Sequence, residues 1–148
     1  MSVRIQCEDF DLNSEVDALK KNCDQTGAVV TFTGIVRGED GLSSLTLEHY
    51  PGMTEREITR HVEEAKARWP LLDVTIIHRI GQLAAGDNVV MVAVASAHRR
   101  AAFEAAQFLM DYLKTHAPFW KCEERAGESQ WLEARSSDET AVRRWRQD

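Results

Sequence analysis

The sequence predicts a single α+β domain in which helices pack on a mainly antiparallel sheet. The chain has 148 residues, of which 43% are hydrophobic, so it can bury one core of ordinary domain size. From residue 43 onward, strand-like and helix-like patterns follow one another in the order β, α, β, β, α, β. This is the split βαβ pattern of an α+β sandwich, and the earlier and later strands should extend the sheet or form a side layer.

The N-terminal segment predicts a strand and then a helix. Residues 3–7 alternate between apolar and polar side chains, which is typical of a half-buried strand. Residues 11–24 have a helical pattern with a charged, solvated face, and Asn13 or Ser14 is available as the N-cap.

Two further strands follow. Residues 27–36 are rich in β-branched side chains and predict a strand, in which Gly34 indicates a bulge or a close backbone approach. Residues 38–41 predict a turn or loop, because glycine and acidic residues favour turns. A second strand is expected within residues 43–50.

The next helix and strand have clear boundaries. Thr54 and Glu57 match a capping box, and apolar residues then recur at helical spacing, which predicts a helix over 54–69 that Pro70 ends. Residues 74–80 predict another strand.

Residues 81–87 are expected to connect this strand to the next one, over 89–96. The latter is apolar on both faces and should lie at the centre of the sheet. Ser96 is then a plausible N-cap for a long helix that Pro118 terminates. Its buried stripe should consist of Ala102, Phe103, Ala106, Leu109, Met110 and Leu113.

The C-terminal part predicts a hairpin and a short helix. Residues 119–124 and 131–134 should pair as strands around a turn at 125–129. Ser136 and Glu139 can open the terminal helix. No candidate linker is long enough to divide the chain into two domains.

Composition narrows the class of function. The formal net charge of −6 argues against general nucleic-acid binding, so any anion site must be a local basic pocket. Three cysteines without CxxC spacing argue against a disulfide framework or a zinc site, and neither a metal nor a cofactor is expected. No signal-peptide pattern and no apolar run near about 18 residues is present, so we expect a cytoplasmic protein.

Cations lie at both ends of the long helix. His98 and Arg99 fall in its first turn, where free N–H groups and the helix dipole favour an anion such as phosphate. On this feature alone, solvated arginines and a locally packed His98 are the favoured explanation.

Lys114 and Lys121 flank Pro118 at the other end of the helix. Lys114 also suits a helix C-terminus, and from the pattern alone an exposed position on a surface strand is the favoured explanation of Lys121. Beside Phe119 and Trp120, however, a lysine near a second cation can become a base or a nucleophile.

The span of this helix limits how these cations can cooperate. From His98 to Lys114 a helix extends about 24 Å, which is more than a small ligand can bridge. The two ends therefore serve different sites, or one site takes one end from each of two chains. The second alternative leads us to a hypothesis of a composite site at a homodimer interface.

Five segments together resemble one known family. They are GAVVTFTGIVR (27–37), LTLEHYPGMT (45–54), VTIIHRIGQL (74–83), SAHRRAAFEA (96–105) and MDYLKTHAPFWK (110–121). In this order they are similar to the large, catalytic subunit of molybdopterin synthase, the MoaE family, and the resemblance covers roughly residues 27–135.

The resemblance implies an α+β fold of the α/β-hammerhead type, with a mixed, mainly antiparallel sheet and two main packed helices. It also implies a homodimer at the centre of a heterotetramer. The implied partner is a small ubiquitin-like sulfur carrier whose C-terminal Gly-Gly ends in a thiocarboxylate. The implied substrate is cyclic pyranopterin monophosphate, which receives two sulfurs to form the dithiolene of molybdopterin.

The resemblance also assigns site residues. Lys114 and Lys121 match two active-site lysines. Ile35 and Cys122 stand where some members carry basic residues, so they can contact a substrate only through backbone or apolar surface. The implied substrate-binding residues are Ile35, Val36, Arg37, His98, Arg99, Cys122, Glu123 and Arg135.

Two other functions remain open at this stage. One is an adaptor that docks a ubiquitin-like protein without catalysis. The other is a cyclic-phosphate hydrolase on a ferredoxin-like fold, for which a histidine pair or a metal would be expected and no matching spacing occurs in the sequence.

Overall fold

A computed structural model describes residues 1–39, 41–132 and 136–146, and for residues 136–139 it describes the backbone alone. Eight strands and four helices lie in these ranges. The strands are β1 (Ser2–Gln6), β2 (Ala28–Ile35), β3 (Leu42–His49), β4 (Leu71–Arg79), β5 (Gly81–Leu83), β6 (Asn88–Ser96), β7 (Phe119–Arg125) and β8 (Glu128–Leu132). The helices are α1 (Leu12–Asn22), α2 (Met53–Arg68), α3 (Arg99–Thr115) and α4 (Ser136–Arg143).

The strands form two four-stranded sheets rather than the one expected. The first has the order β1-β4-β6-β2, and the second has the order β5-β3-β7-β8. All pairs are antiparallel except β1 with β4, so the α+β, mainly antiparallel class is confirmed. The predicted central position of β6 is also confirmed, because β6 lies between β4 and β2. The elements of the predicted β, α, β, β, α, β order are present, with the short β5 inserted between the two middle strands, and the first and last strands pair in the second sheet.

Helices cover both faces of the first sheet. The main core joins α2 and α3 to one face, where the side chains of Ile58, Val62, Val92 and Phe108 are essentially inaccessible to solvent. A smaller core on the opposite face contains Leu19 of α1. Such burial is the dominant favourable contribution to folding. The two main packed helices of the prediction are therefore α2 and α3.

The prediction of residues 81–87 as a plain connection was wrong in one respect. Gly81–Leu83 form strand β5, which pairs with β3. Three residues are too few for a period-2 pattern to be recognised in a sequence. Leu83 is 2% exposed and packs with Leu47 in the small core of the second sheet.

Two helix N-caps differ from the predicted ones. Helix α1 is capped by Asp11, whose side chain accepts from the backbone N–H of Ser14 at 3.2 Å, and not by Asn13 or Ser14 itself. Helix α3 is capped by His98, because Ser96 is the last residue of β6. Several polar residues precede each helix, so the sequence did not distinguish among them.

The N-cap of α2 lies two residues earlier than predicted, and only the acidic half of a capping box is present, because glycine has no side chain. Gly52 is the N-cap, and its N–H donates to the side chain of Glu55. Thr54, predicted as the cap, is buried and donates from its hydroxyl to the Pro118 carbonyl at 3.1 Å. It thereby ties the start of α2 to the segment that leads into β7.

The predicted C-terminal hairpin and helix are present within the described residues, but β8 begins at Glu128, inside the segment 125–129 that was predicted to be the turn. A tight turn at Ala126 and Gly127, both with positive φ, joins β7 to β8. The predicted strand residues 133–134 lie outside the described residues. Beyond α4, the indole of Trp145 donates to Asp111 of α3 at 2.6 Å and so fastens the end of the chain to that helix.

Gly34 marks both a bulge and a close approach, as the sequence indicated. The register between β2 and β6 shifts between Gly34 and Ile35. A Cβ atom at Gly34 would lie 2.7 Å from Cγ1 of Val90 and 3.3 Å from the Phe32 ring. The bulge sets the direction in which the chain leaves β2 towards Arg37.

We expect Gly34→Ala to lower the free energy of unfolding by about 1–3 kcal/mol through overpacking. Urea denaturation followed by circular dichroism measures the change. Thr31→Ala, at an exposed position of the same strand, is the control and should change it by less than about 0.5 kcal/mol. Adding Val90→Ala should recover part of the loss; a strictly additive double variant would contradict the clash.

Candidate active site

A cavity of about 530 Å³ lies where the two sheets meet the C-terminal end of α3. This volume is in the range of sites for small organic ligands. Strand β2 and the residues after it, the end of α3, and β7 supply most of its wall. The polar lining residues are Arg37, Glu39, His78, Lys114, Thr115, Lys121, Glu123 and Arg125.

The cavity collects cations from three structural elements, two of which are neighbours in the sequence. Arg37 follows the bulged end of β2, Lys114 lies in the last turn of α3, and Lys121 lies in β7. Lys121 is half-buried, whereas Lys114 and Arg37 are exposed. A pocket with several cations in an acidic chain matches the predicted local basic site and favours an anionic ligand.

The side chains of β7 alternate between its two faces, and only one face lines the cavity. Lys121 and Glu123 line the cavity together with Phe119 and Arg125, as expected for positions two residues apart. Cys122 is 7% exposed and is not part of the lining. The structure therefore brings Lys121 and Glu123 into the cavity and places Cys122 on the opposite face of the strand.

Carboxylates in the cavity face arginines. Glu39 forms an ion pair with Arg37 at 3.4 Å, and Glu123 forms an ion pair with Arg125. Charge-assisted contacts of this kind fix the direction of a guanidinium group. Glu39 and Arg125 were not predicted as site residues.

His78 is the most informative residue that the sequence reasoning missed. It lies in β4, is 7% exposed and lines the cavity. Burial lowers the pKa of His78 to about 3; the nearby cations of Lys121 and Lys114 act in the same direction, and a hydrogen bond to the Arg79 carbonyl opposes them. A histidine within the apolar run VTIIHRI was the available signal.

The predicted anion contacts at the start of α3 lie apart from this cavity. His98 and Arg99 are exposed at the N-terminal end, and neither is part of the lining. From Arg99 to Lys114 the helix extends about 22 Å. No acidic residue lies in the first helical turn and no side chain caps it, so this terminus retains its preference for an anion. Arg135 lies outside the described residues.

The remaining predictions from the sequence concern the apolar wall of the cavity, metal binding and membrane-spanning segments. Ile35 is 57% exposed and Val36 is 4% exposed, and both line the cavity. Within the ranges that the structure describes, no group of three or more His, Cys, Asp or Glu residues is arranged to hold a metal ion. The helices of the same ranges include none that is long and apolar enough to cross a membrane.

A second buried histidine, His61, lies in α2 outside the cavity. It is 3% exposed, its ring contacts Tyr112 at a centroid distance of 4.4 Å, and neither ring nitrogen has a hydrogen-bond partner. Burial lowers the pKa of His61 from 6.5 to about 4, and the charge of Arg60 adds to the effect. The folded state therefore favours the neutral ring.

We expect the stability of the protein to fall as the pH decreases from about 6.5 towards 4, because the unfolded chain then binds protons that buried His61 rejects. Each such histidine contributes a slope of up to about 1.4 kcal/mol per pH unit in this window. Chemical denaturation at pH 7 and at pH 5 measures it. His61→Phe should reduce the difference between the two pH values; an unchanged difference would show that His61 is not the source.

The chain is similar to proteins of one known family. The family model described as "MoaE protein" matches residues 5–116. The molybdopterin synthase catalytic subunit of Mesorhizobium japonicum is 55% identical over 148 residues, which cover 98% of this chain and 93% of that protein. The protein of the same name from Escherichia coli K12 is 59% identical over 125 residues, covering 82% and 83%.

A solved structure has the same architecture. The molybdopterin biosynthesis MoaE protein from Burkholderia ambifaria superimposes with a TM-score of 0.87 at 48% identity, and the match covers 97% of both chains. The two-sheet arrangement is thus that of a known fold.

The fold and the cavity define an α+β protein with a cationic site for a small anionic ligand. Together with the family match and the identities, they establish a more specific assignment. The chain belongs to the MoaE family, the family of molybdopterin synthase catalytic subunits.

Proposed function

We propose that this chain transfers sulfur from the C-terminal thiocarboxylate of a ubiquitin-like carrier to cyclic pyranopterin monophosphate, forming the dithiolene of molybdopterin. The single observation that carries the proposal is the cavity that gathers Arg37, Lys114 and Lys121. The name that its relatives bear, molybdopterin synthase catalytic subunit, supports the same reaction and indicates a partner subunit.

The chemistry requires little from the protein beyond positioning and charge. A thiocarboxylate is already a sulfur nucleophile, so no cysteine needs to lie in the cavity, which agrees with the position of Cys122 outside the lining. The protein must hold the cyclic phosphate, move protons and stabilise developing charge. Arginine suits the phosphate because its guanidinium group can donate two parallel hydrogen bonds.

We assign different tasks to the two lysines. Lys121 is half-buried beside Phe119 and acts as the general acid/base or as a transient covalent partner. Lys114 is more exposed, lines the cavity together with Thr115, and holds the terminal carboxyl group of the carrier. Glu123 supports the site through its ion pair with Arg125.

A flexible Gly-Gly tail suits this cavity because it has no side chains to obstruct a narrow entrance. Phe119, Leu113 and Met110 supply apolar wall. Tyr112 is 9% exposed and belongs to the main core, so it does not form part of this wall. Trp120 is 51% exposed on the outer face of β7.

The ends of α3 lead us to propose a homodimer with shared sites. His98 and Arg99 of one chain would bind the substrate anion beside Lys114 and Lys121 of its partner. With one carrier at each site, the assembly is a heterotetramer.

Incubation of the purified chain with the pterin substrate and thiocarboxylated carrier tests the function, with dithiolene formation as the readout. Product is expected only when both reactants are present. An adaptor would bind the carrier and form no dithiolene. A cyclic-phosphate hydrolase would consume the substrate without any carrier. Either of these results would overturn the proposal.

A further inference from the structure

We propose that Glu39 is an internal competitor for the anion site of the cavity. Its carboxylate occupies the guanidinium group of Arg37 until the phosphate group of a ligand displaces it. Glu39 thereby sets how tightly the cavity binds anions. Taking that ligand to be a pterin phosphate rests on the sulfur transfer proposed above.

The backbone on both sides of Arg37 is held against the turn that precedes β6. Val36 exchanges two backbone hydrogen bonds of 2.8 Å with residues 86–87 of this turn. A Cβ atom at Gly38 would lie 2.8 Å from Cβ of Ala85, so the chain also approaches the turn closely after Arg37. The place from which the Arg37 side chain enters the cavity is therefore fixed.

A tight turn brings Glu39 back to this arginine. The N–H of Glu39 donates to the Arg37 carbonyl at 3.2 Å, and the Glu39 carbonyl accepts from the N–H of Leu42 at 3.2 Å. Oε1 of Glu39 lies 3.4 Å from Nε of Arg37, and both side chains line the cavity. The local backbone thus places a carboxylate on a cation that we assign to the ligand.

The exposure of this ion pair makes it replaceable. The side chains of Arg37 and Glu39 are 66% and 49% exposed, and exposed ion pairs are weak. A phosphate group can instead accept two parallel hydrogen bonds from the guanidinium group, which is a stronger contact. The other carboxylate in the cavity, Glu123, is only 19% exposed in its pair with Arg125. Glu39 is therefore the carboxylate that a ligand displaces more easily.

Two effects of Glu39 on an anionic ligand oppose each other. Its negative charge repels the ligand and competes for Arg37, whereas its contact could direct the guanidinium group towards the ligand. A single contact of 3.4 Å between two exposed side chains directs that group only weakly. We therefore expect competition to prevail, so that removing the carboxylate tightens binding.

Calorimetric titration of the carrier-free chain with the pterin substrate measures the effect. Glu39→Gln keeps the size of the side chain and removes its charge, and it should lower Kd by about 2–5-fold. In an Arg37→Gln background the same change should alter Kd by less than about 1.5-fold, because no guanidinium group remains to compete for.

Glu63→Gln is the matched control for the loss of one negative charge. Glu63 is exposed on α2 and does not line the cavity. Salt screens a charge at such a position, so Kd should stay within about 1.5-fold of wild type.

Three results would overturn the role of Glu39. They are an unchanged Kd in Glu39→Gln, a raised Kd, which would make Glu39 an orienting group, and an equal decrease in the Arg37→Gln background, which would indicate a general effect of charge.

Titration with inorganic phosphate separates this role from the proposed function. The amide NMR signals of residues 36–39 report binding at this site, and Glu39→Gln should again lower Kd by about 2–5-fold. A wild-type chain that does not bind the pterin substrate would refute the proposed function, and the phosphate titration would still decide on Glu39. Without phosphate binding at these residues, or without an effect of Glu39→Gln on it, the competition does not exist.

Discussion

Lys121→Ala is expected to lower kcat for dithiolene formation by about 10²–10⁴-fold, which is the usual contribution of a positioned acid or base. The expectation follows from its position: Lys121 is half-buried in β7, lines the cavity and lies beside the apolar ring of Phe119. The measurement is single-turnover conversion of the pterin substrate with saturating thiocarboxylated carrier, which excludes effects of product release.

Lys121→Arg separates charge from proton transfer at the same position. Arginine keeps the cation but holds its proton at every accessible pH. If Lys121 exchanges a proton or forms a transient covalent bond, Lys121→Arg should be nearly as slow as Lys121→Ala. If Lys121 contributes charge alone, Lys121→Arg should retain most activity, and the acid/base assignment would be wrong.

Lys66→Ala is the matched control for this series. Lys66 is exposed in the last turn of α2 and does not line the cavity. Its loss should leave kcat within about twofold of wild type, because exposed substitutions away from a site have small effects. A Lys121→Ala variant as active as Lys66→Ala would remove Lys121 from the mechanism.

The sequence predicted the elements better than their assembly. Strand β6 could be placed at the centre of a sheet because it is apolar on both faces, and the bulge at Gly34 was indicated by one glycine in a β-branched run. The division into two sheets depends on pairs such as Leu47 with Lys121, which are distant in the chain and leave no local pattern.

The sequence also predicted some residues of the site and missed others whose position depends on contacts between distant parts of the chain. Lys114 and Lys121 were singled out as cations flanking Pro118 and were matched to active-site lysines by the family resemblance, while His78 was passed over because the histidines fit no metal-ligand spacing. Its place in the cavity depends on Phe119, which packs on it from another sheet. Cys122 was named because it follows Lys121, although adjacent residues of a strand point to opposite faces.

Mixed dimers are expected to recover activity that neither parent has. Arg99 and Lys114 lie at opposite ends of α3, about 22 Å apart along the helix, so within one chain they do not contact the same small substrate. If each site combines Arg99 of one chain with Lys121 of its partner, a dimer of one Arg99→Ala chain and one Lys121→Ala chain has one intact site and one doubly defective site.

Random pairing at equal concentrations therefore predicts about one quarter of wild-type activity, because half of the dimers are mixed and each mixed dimer has one intact site. Separately tagged chains, refolded together and purified for both tags, should give about half of wild-type activity on the same reasoning.

Mixing Lys121→Ala with Lys114→Ala is the matched control. Both lysines line the cavity of one chain, so every site in that mixture lacks one of them and activity should stay low. If the Arg99 and Lys121 variants recover no activity in doubly tagged dimers, the hypothesis of a shared site is wrong. The N-terminal end of α3 would then not take part in the site formed by the partner's cavity.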